Sequence, residues 1–200
     1  QNRRTGGTMR QQPSATSPRL GLSWLPSPQW TVYANAGRSF RPNVGSDFAG
    51  RSFEPERGRA LELGTKWESA DRRIGMTAAL FDIRKRNVLT ADPAQATDPA
   101  RAGFSIAAGE IGSRGLELGL ERSMSDRWQI SAGYTFQKAK ITKDTAAAPE
   151  GREVPLVPRH SLSLWNRYDV TKTLGLGLGL VARSKAYASI SNQVKLPGYA

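Results

Sequence analysis

Apolar and polar side chains alternate with a period of two along most of the chain. Over 29–40, Trp30, Val32, Ala34 and Ala36 fall on one side and Gln29, Thr31, Asn35 and Ser39 on the other. Leu61, Leu63, Thr65 and Trp67 likewise oppose Glu62, Gly64, Lys66 and Glu68, and Leu116, Leu118 and Leu120 oppose Glu117, Gly119 and Glu121. The clearest case sets Trp128, Ile130, Ala132, Tyr134 and Phe136 against Gln129, Ser131, Gly133, Thr135 and Gln137. Successive side chains of a strand point to opposite faces, whereas a helix repeats every 3.6 residues, so this pattern predicts strands. Eight are expected, over 18–25, 29–40, 57–68, 72–89, 103–123, 128–137, 158–170 and 174–180, with 1–17 as loop.

The connections between these strands fall into two classes. Pro26-Ser27-Pro28, Ser69-Ala70-Asp71, Ser125-Asp126 and Thr171-Lys172-Thr173 are tight turns, whereas 41–56, 90–101 and 143–157 are long, polar and rich in turn formers. Short turns at one end and long loops at the other are the signature of outer-membrane barrels. The aromatics agree, since Trp30, Trp67, Trp128 and Tyr168 lie within a few residues of short turns, as an interfacial girdle requires. The competing reading is cross-strand packing in a soluble sheet. Asp82, Arg84, Lys85, Arg86, Lys138, Lys140 and Lys143 gather at strand ends beside long loops, where a barrel projects above the bilayer. The first half of the fifth strand fits less well, because Arg114 would share the leucine face. A bulge near Gly112 or Gly115, or a position above the membrane, accounts for it.

The expected fold class is therefore all-β, a segment of a transmembrane antiparallel β-barrel. Closure of eight strands into a small barrel is weighed against three features. The first residues, Gln1-Asn2-Arg3-Arg4-Thr5-Gly6-Gly7, contain no apolar leader; Leu196-Pro197-Gly198-Tyr199-Ala200 looks like the first step of a ninth strand; and the polar face is rich in Gly, Ser, Thr and Glu, which suits a wide or plugged interior. A segment with open edges is not tolerated by lipid, so the expected functional unit includes further chain.

Composition removes several other classes. A 38% hydrophobic content and a mean hydropathy of −0.50 do not argue against a barrel, whose lipid-facing residues alternate with polar ones. No run approaches the roughly 18 apolar residues of a membrane helix. With no cysteine and one histidine, no catalytic residue and no metal ligand is expected. The net charge of +12 points to an anionic partner, yet the basic residues are spread along the chain rather than clustered, so nucleic acid is not expected and anionic outer-membrane lipid or lipopolysaccharide is. Gly177-Leu178-Gly179-Leu180-Val181-Ala182 fits a dinucleotide-binding spacing but lies inside a leucine alternation that leaves no strand-to-helix turn. His160, beside Pro158 at a strand start, reads as a hydrogen-bonded structural residue.

An ordered set of motifs resembles the barrel of TonB-dependent ferric-siderophore receptors of the ferrichrome and ferrioxamine type. It comprises Ser39-Phe40-Arg41-Pro42-Asn43, Phe53-Glu54-Pro55-Glu56-Arg57-Gly58, Leu61-Glu62-Leu63-Gly64-Thr65-Lys66-Trp67, Ala79-Leu80-Phe81-Asp82-Ile83, Ser113-Arg114-Gly115-Leu116-Glu117-Leu118, Val157-Pro158-Arg159-His160-Ser161 and Leu196-Pro197-Gly198-Tyr199. The resemblance implies the later half of a 22-stranded plugged barrel, of which this chain supplies about eight strands. The plug, the TonB box and the last strands are expected outside the sequence. It also implies TonB-energised uptake of a ferric siderophore, with the iron complex as substrate and no cofactor. Another barrel, porin-like or specific for cobalamin or haem, is the alternative, and a soluble basic β protein binding nucleic acid a more distant one. Arg41, Phe48, Arg51, Phe53 and Phe104, all in long loops, are candidate ligand contacts, because arginine attracts an anionic complex and aromatics pack on its apolar parts.

Overall fold

The computed structural model describes residues 15–145 and 148–200; the first fourteen residues of the expected N-terminal loop lie outside them. Its strands are β1 (Arg19–Ser27), β2 (Trp30–Arg41), β3 (Glu56–Glu68), β4 (Ile74–Arg86), β5 (Leu89–Ala91), β6 (Ser105–Ala107), β7 (Glu110–Ser125), β8 (Trp128–Lys143), β9 (His160–Asp169), β10 (Gly175–Arg183), β11 (Ala186–Tyr187) and β12 (Lys195–Leu196). Eight of them form one antiparallel sheet in the order β1-β2-β3-β4-β7-β8-β9-β10, each strand beside its predecessor in that order. The strands expected from the alternation are these eight.

Several boundaries differ for local reasons. Pro26 does not end β1: it sits where the β1/β2 register shifts between Trp24 and Ser27, and β1 is an outer strand of the sheet, where a missing N–H removes no ladder bond. The expected fourth strand stops at Arg86 because Asn87 turns into the left-handed region (φ 58°) and donates its backbone N–H to Gly109 O. The expected fifth strand begins at Glu110, not near 103. The residues before it belong to a separate small hairpin, β5 with β6, joined by two 3-10 turns, Pro93–Ala96 and Pro99–Arg101. Among the described residues, Tyr199 exchanges both backbone hydrogen bonds with Arg183 (2.8 and 3.0 Å), so the last residues begin to pair with the free edge of β10.

Register fixes which side chains share a face. Trp30, Val32, Ala34 and Ala36 of β2 stand opposite Trp67, Thr65, Leu63 and Leu61 of β3, and the row continues through Met76, Ala78 and Leu80 to Leu120, Leu118 and Leu116. Ala132, Tyr134 and Phe136, then Leu164 and Leu162, then Leu180 and Ala182 carry the same face across β8, β9 and β10. These side chains meet no second layer: Leu22 is 72% exposed, Leu63 55% and Leu178 75%. A soluble sheet hides such a face, and contiguous apolar patches beyond a few hundred Å² are rare on soluble monomers. The soluble-sandwich reading therefore fails on packing, and the exposed leucine face requires lipid.

The opposite face carries Tyr33, Glu62, Thr77, Glu117, Thr135 and Ser163 and is that of a wet lumen. Among the described residues, the buried apolar ones sit at the long-loop end: Ile141 near the top of β8, and Phe53, Ala108, Ala148 and Ile190 in the connections.

Candidate functional site

The long-loop end is built by docking of loops on one another. Between β2 and β3, Asn43 is buried, and its Nδ2 donates to Glu54 O (2.8 Å) in its own loop and to Asn87 O (2.7 Å) in the next. Asn87 returns the contact, its Nδ2 donating to Pro55 O (3.1 Å) and to Glu54 Oε2 (3.3 Å). The other two loops are tied similarly: Asn192 accepts from the Glu153 backbone N–H (2.7 Å) and donates to Glu153 O (2.9 Å), while Leu156 N–H donates to Tyr187 O. Ala108, Ile141, Ala148 and Ile190 pack together beneath them as a small shared core. Burying a side-chain amide is favourable only when its donors and acceptors are used, and at Asn43 both protons reach carbonyls.

The loop candidates named from sequence fall into different positions. Phe48 and Phe104, from two loops, meet edge to face with centroids 5.2 Å apart. Arg101, not singled out from sequence, lies 4.5 Å over the Phe48 ring and is held by Asp92 (3.1 Å) and Asp98 (3.3 Å). A sequence signal for it exists in the repeated Asp92-Pro93-Ala94 and Asp98-Pro99-Ala100: each aspartate caps a 3-10 turn through the N–H two residues on (2.9 and 3.0 Å) and the proline occupies the first turn position. Arg51 folds back on Asp47 (2.8 Å) while its side chain stays largely exposed. The Arg51 backbone N–H, followed by its guanidinium, holds the Asp47 carboxyl below its ordinary value of 3.8. Phe53 is buried. Arg41 ends β2 on the lumen face, opposite Glu56 and exposed at the rim.

At the other end the aromatics converge. Trp30 stands directly opposite Trp67, with ring centroids 6.3 Å apart, and Trp128 opposite Tyr168, all on the leucine face beside the short turns. The Trp128 indole N–H donates to Asn166 Oδ1. Trp24 lies on the same face and was missed because its partner Val32 is visible only from the register.

Inside the sheet, two sequence puzzles resolve. The Gly177-Leu178-Gly179 run is a strand, and its glycines leave room for Trp165: a Cβ at Gly177 would stand 2.6 Å from the ring and one at Gly179 2.8 Å. A register shift against β8 does lie near Gly112, between Glu110 and Ile111, but the β4/β7 register is unbroken and Arg114 keeps its place on the leucine face. It stands beyond the leucine band, between Asp82 and Lys138. His160 Nδ1 pairs with the Tyr134 hydroxyl (2.8 Å).

An antiparallel sheet with one lipid-seeking face, one polar face, an aromatic girdle and loops sorted by length is the wall of an outer-membrane β-barrel. The family model "TonB dependent receptor-like, beta-barrel" matches residues 1–200, and the chain belongs to that family. It is 39% identical over 155 residues to the metal-pseudopaline receptor CntO of Pseudomonas aeruginosa, covering 78% of this chain and 21% of that protein. It is 31% identical over 204 residues to the ferrichrome outer membrane transporter/phage receptor of Escherichia coli K12, covering 99% and 26%. The crystal structure of the siderophore receptor PiuA from Acinetobacter baumannii superposes with a TM-score of 0.70 at 27% identity, over 90% of this chain and 28% of that one. The chain thus spans about a quarter of the length of these relatives, which are receptors and transporters, not enzymes.

Proposed function

We propose that this segment forms part of the wall and extracellular rim of a receptor that imports a ferric siderophore, with energy delivered through TonB. The carrying observation is the family match over the whole chain, together with siderophore receptors among its relatives. The geometry supports it: a polar lumen face flanks the path a hydrophilic complex would take, and the rim presents Arg41 and the Phe48–Phe104 pair, the groups that suit an anionic chelate with apolar parts. The wall does no covalent chemistry in this reading, and the substrate's metal arrives already chelated. TonB would engage parts of the receptor other than this wall.

A second reading is favoured by one observation, the 39% identity to a metal-pseudopaline receptor: the cargo is a metal–pseudopaline type of complex. Growth of a receptor deletant carrying the complete gene decides between them. Under iron starvation with a panel of ferric siderophores, rescue by at least one, lost when TonB is deleted, is expected. Rescue only by a metal–pseudopaline complex, under limitation of the metal it carries, would transfer the assignment to the second reading. Rescue by neither would sink both.

A further inference from the structure

Within the height of the leucine band, one row of the lumen face carries charge at both ends and hydroxyls between. Glu117 of β7 stands opposite Thr135 of β8, Thr135 opposite Ser161 of β9, and Ser161 opposite Arg183 of β10. Each alternates with a residue of the leucine face, so all four point into the lumen. Among the described residues, no cation pairs with Glu117 and no acid with Arg183.

The row beside it is built from small residues. Gly119 and Gly133 stand opposite each other, flanked by Thr77 and Ser163. A Cβ at Gly119 would lie 2.5 Å from Thr77 Oγ1 and one at Gly133 3.0 Å from Ser163 Oγ, so both hydroxyls lean over a floor that side chains would fill. The result is a groove of about 390 Å³, bordered by Glu117 on one side and Arg183 on the other. That volume is of the size small-molecule sites have.

The two charges say what the groove can hold. Three interstrand spacings of about 4.8 Å separate their backbones, about 14 Å in all, and both side chains reach inward from there. An anionic group is drawn to Arg183 and repelled by Glu117, and a cation the reverse, so a ligand with one sign of charge is answered at one end only. A ligand carrying both signs is answered at both. Between the ends, the Thr135 and Ser161 hydroxyls donate or accept as a passing group requires.

We infer that this groove is a cargo site inside the lumen, below the rim, and that it takes a zwitterionic metal chelate, with its free carboxylate on Arg183 and its free ammonium on Glu117. The inference rests on the import reading and names the class of complex imported. Arginine suits a carboxylate because its planar fork of donors binds two oxygens at once.

The test follows uptake by whole cells carrying the full-length receptor. The probe is one ferric trihydroxamate scaffold with a pendant carboxylate and ammonium together, with either alone, or with both capped. Binding in the cold to de-energised cells reads the surface, and uptake by energised cells reads import. The zwitterionic form is expected to enter roughly fivefold faster than the others or more, with surface binding equal to about twofold. Glu117→Gln and Arg183→Gln should each lower its import by roughly fivefold or more without weakening surface binding. The exchange E117R/R183E should restore import, because a free zwitterion can turn round whereas a segment of the receptor lodged in the groove cannot. Heat-modifiable gel mobility reports folding, and should a variant fail to fold, the probe series on wild type decides alone. Equal import of all forms by wild type, surface binding that falls as far as import, or a folded exchange variant no better than the single ones overturns the inference. Import of no form, while growth on another ferric chelate persists, also overturns it and leaves the import reading standing; failure on every chelate removes both.

Discussion

Single side chains decide how the rim is held. Asn43 joins two loops through carbonyls of each, so Asn43→Ala leaves buried acceptors without donors, at a cost of about 1–3 kcal/mol. Hydrogen exchange of the full receptor should then quicken in both 42–56 and 87–109; quickening confined to the first loop would show that the two are not joined through this residue. Asp47 gives a pH signature of a particular sign. Its carboxyl is held below 3.8 by the Arg51 backbone N–H and then by the guanidinium, so the clasp contributes fully above that pH and is lost as pH falls through the lowered value. Protection of the Arg51 amide, measured relative to its intrinsic exchange rate at each pH, should be unchanged between pH 6 and 5 and fall only below 3.8, and a loss already between 6 and 5 would contradict the assignment. Within the sheet, Gly177→Val must push Trp165 off its neighbour's backbone. Because Trp165 is about half exposed its ring can swing aside, so the cost is expected to stay below about 1 kcal/mol, readable as a small shift in the denaturation midpoint of the folded barrel.

Elements differ in how firmly their surroundings constrain them. β7 and β8 run for 16 residues each, well beyond the 9–11 that cross the hydrocarbon, so their upper thirds stand in water while their lower parts face lipid. A charge should therefore be costly on one part of a strand and cheap on another. Leu118→Arg, within the leucine band, is expected to destabilise the barrel by about 2–4 kcal/mol in detergent or lipid. Thr135→Arg, across the strand pair on the lumen face, should change stability by less than about 1 kcal/mol. Equal effects would mean that the faces have been assigned the wrong way round.

At the scale of the whole sheet, among the described residues β1 and β10 are its outer strands, and a bilayer does not tolerate an unpaired strand edge. The bonds between Arg183 and Tyr199 show how one of these edges begins to be covered. The relatives are about four times longer than the matched region. The described loops pack on one another, so movement of the rim on ligand binding would carry neighbouring loops together.

The sequence by itself determined the strands, their faces and the sorting of short from long connections. Period-two alternation and turn residues are local properties, legible at Leu116-Glu117-Leu118 as readily as at Trp128. Membership of the receptor family was legible too, because ordered motifs such as Ser39-Phe40-Arg41-Pro42-Asn43 survive where single residues would not distinguish one barrel from another. What only the tertiary structure decided is whatever depends on register and on residues far apart in the chain. Arg38, Arg59 and Arg84 are unremarkable in sequence and become one cationic row only when three strands are aligned. Arg101 becomes the centre of a loop because Phe48 is carried to it from another connection, and the glycines of β10 acquire a reason only from Trp165 on β9. Alternation tells each strand which way its side chains point; hydrogen bonding between strands alone tells each side chain which neighbours it meets.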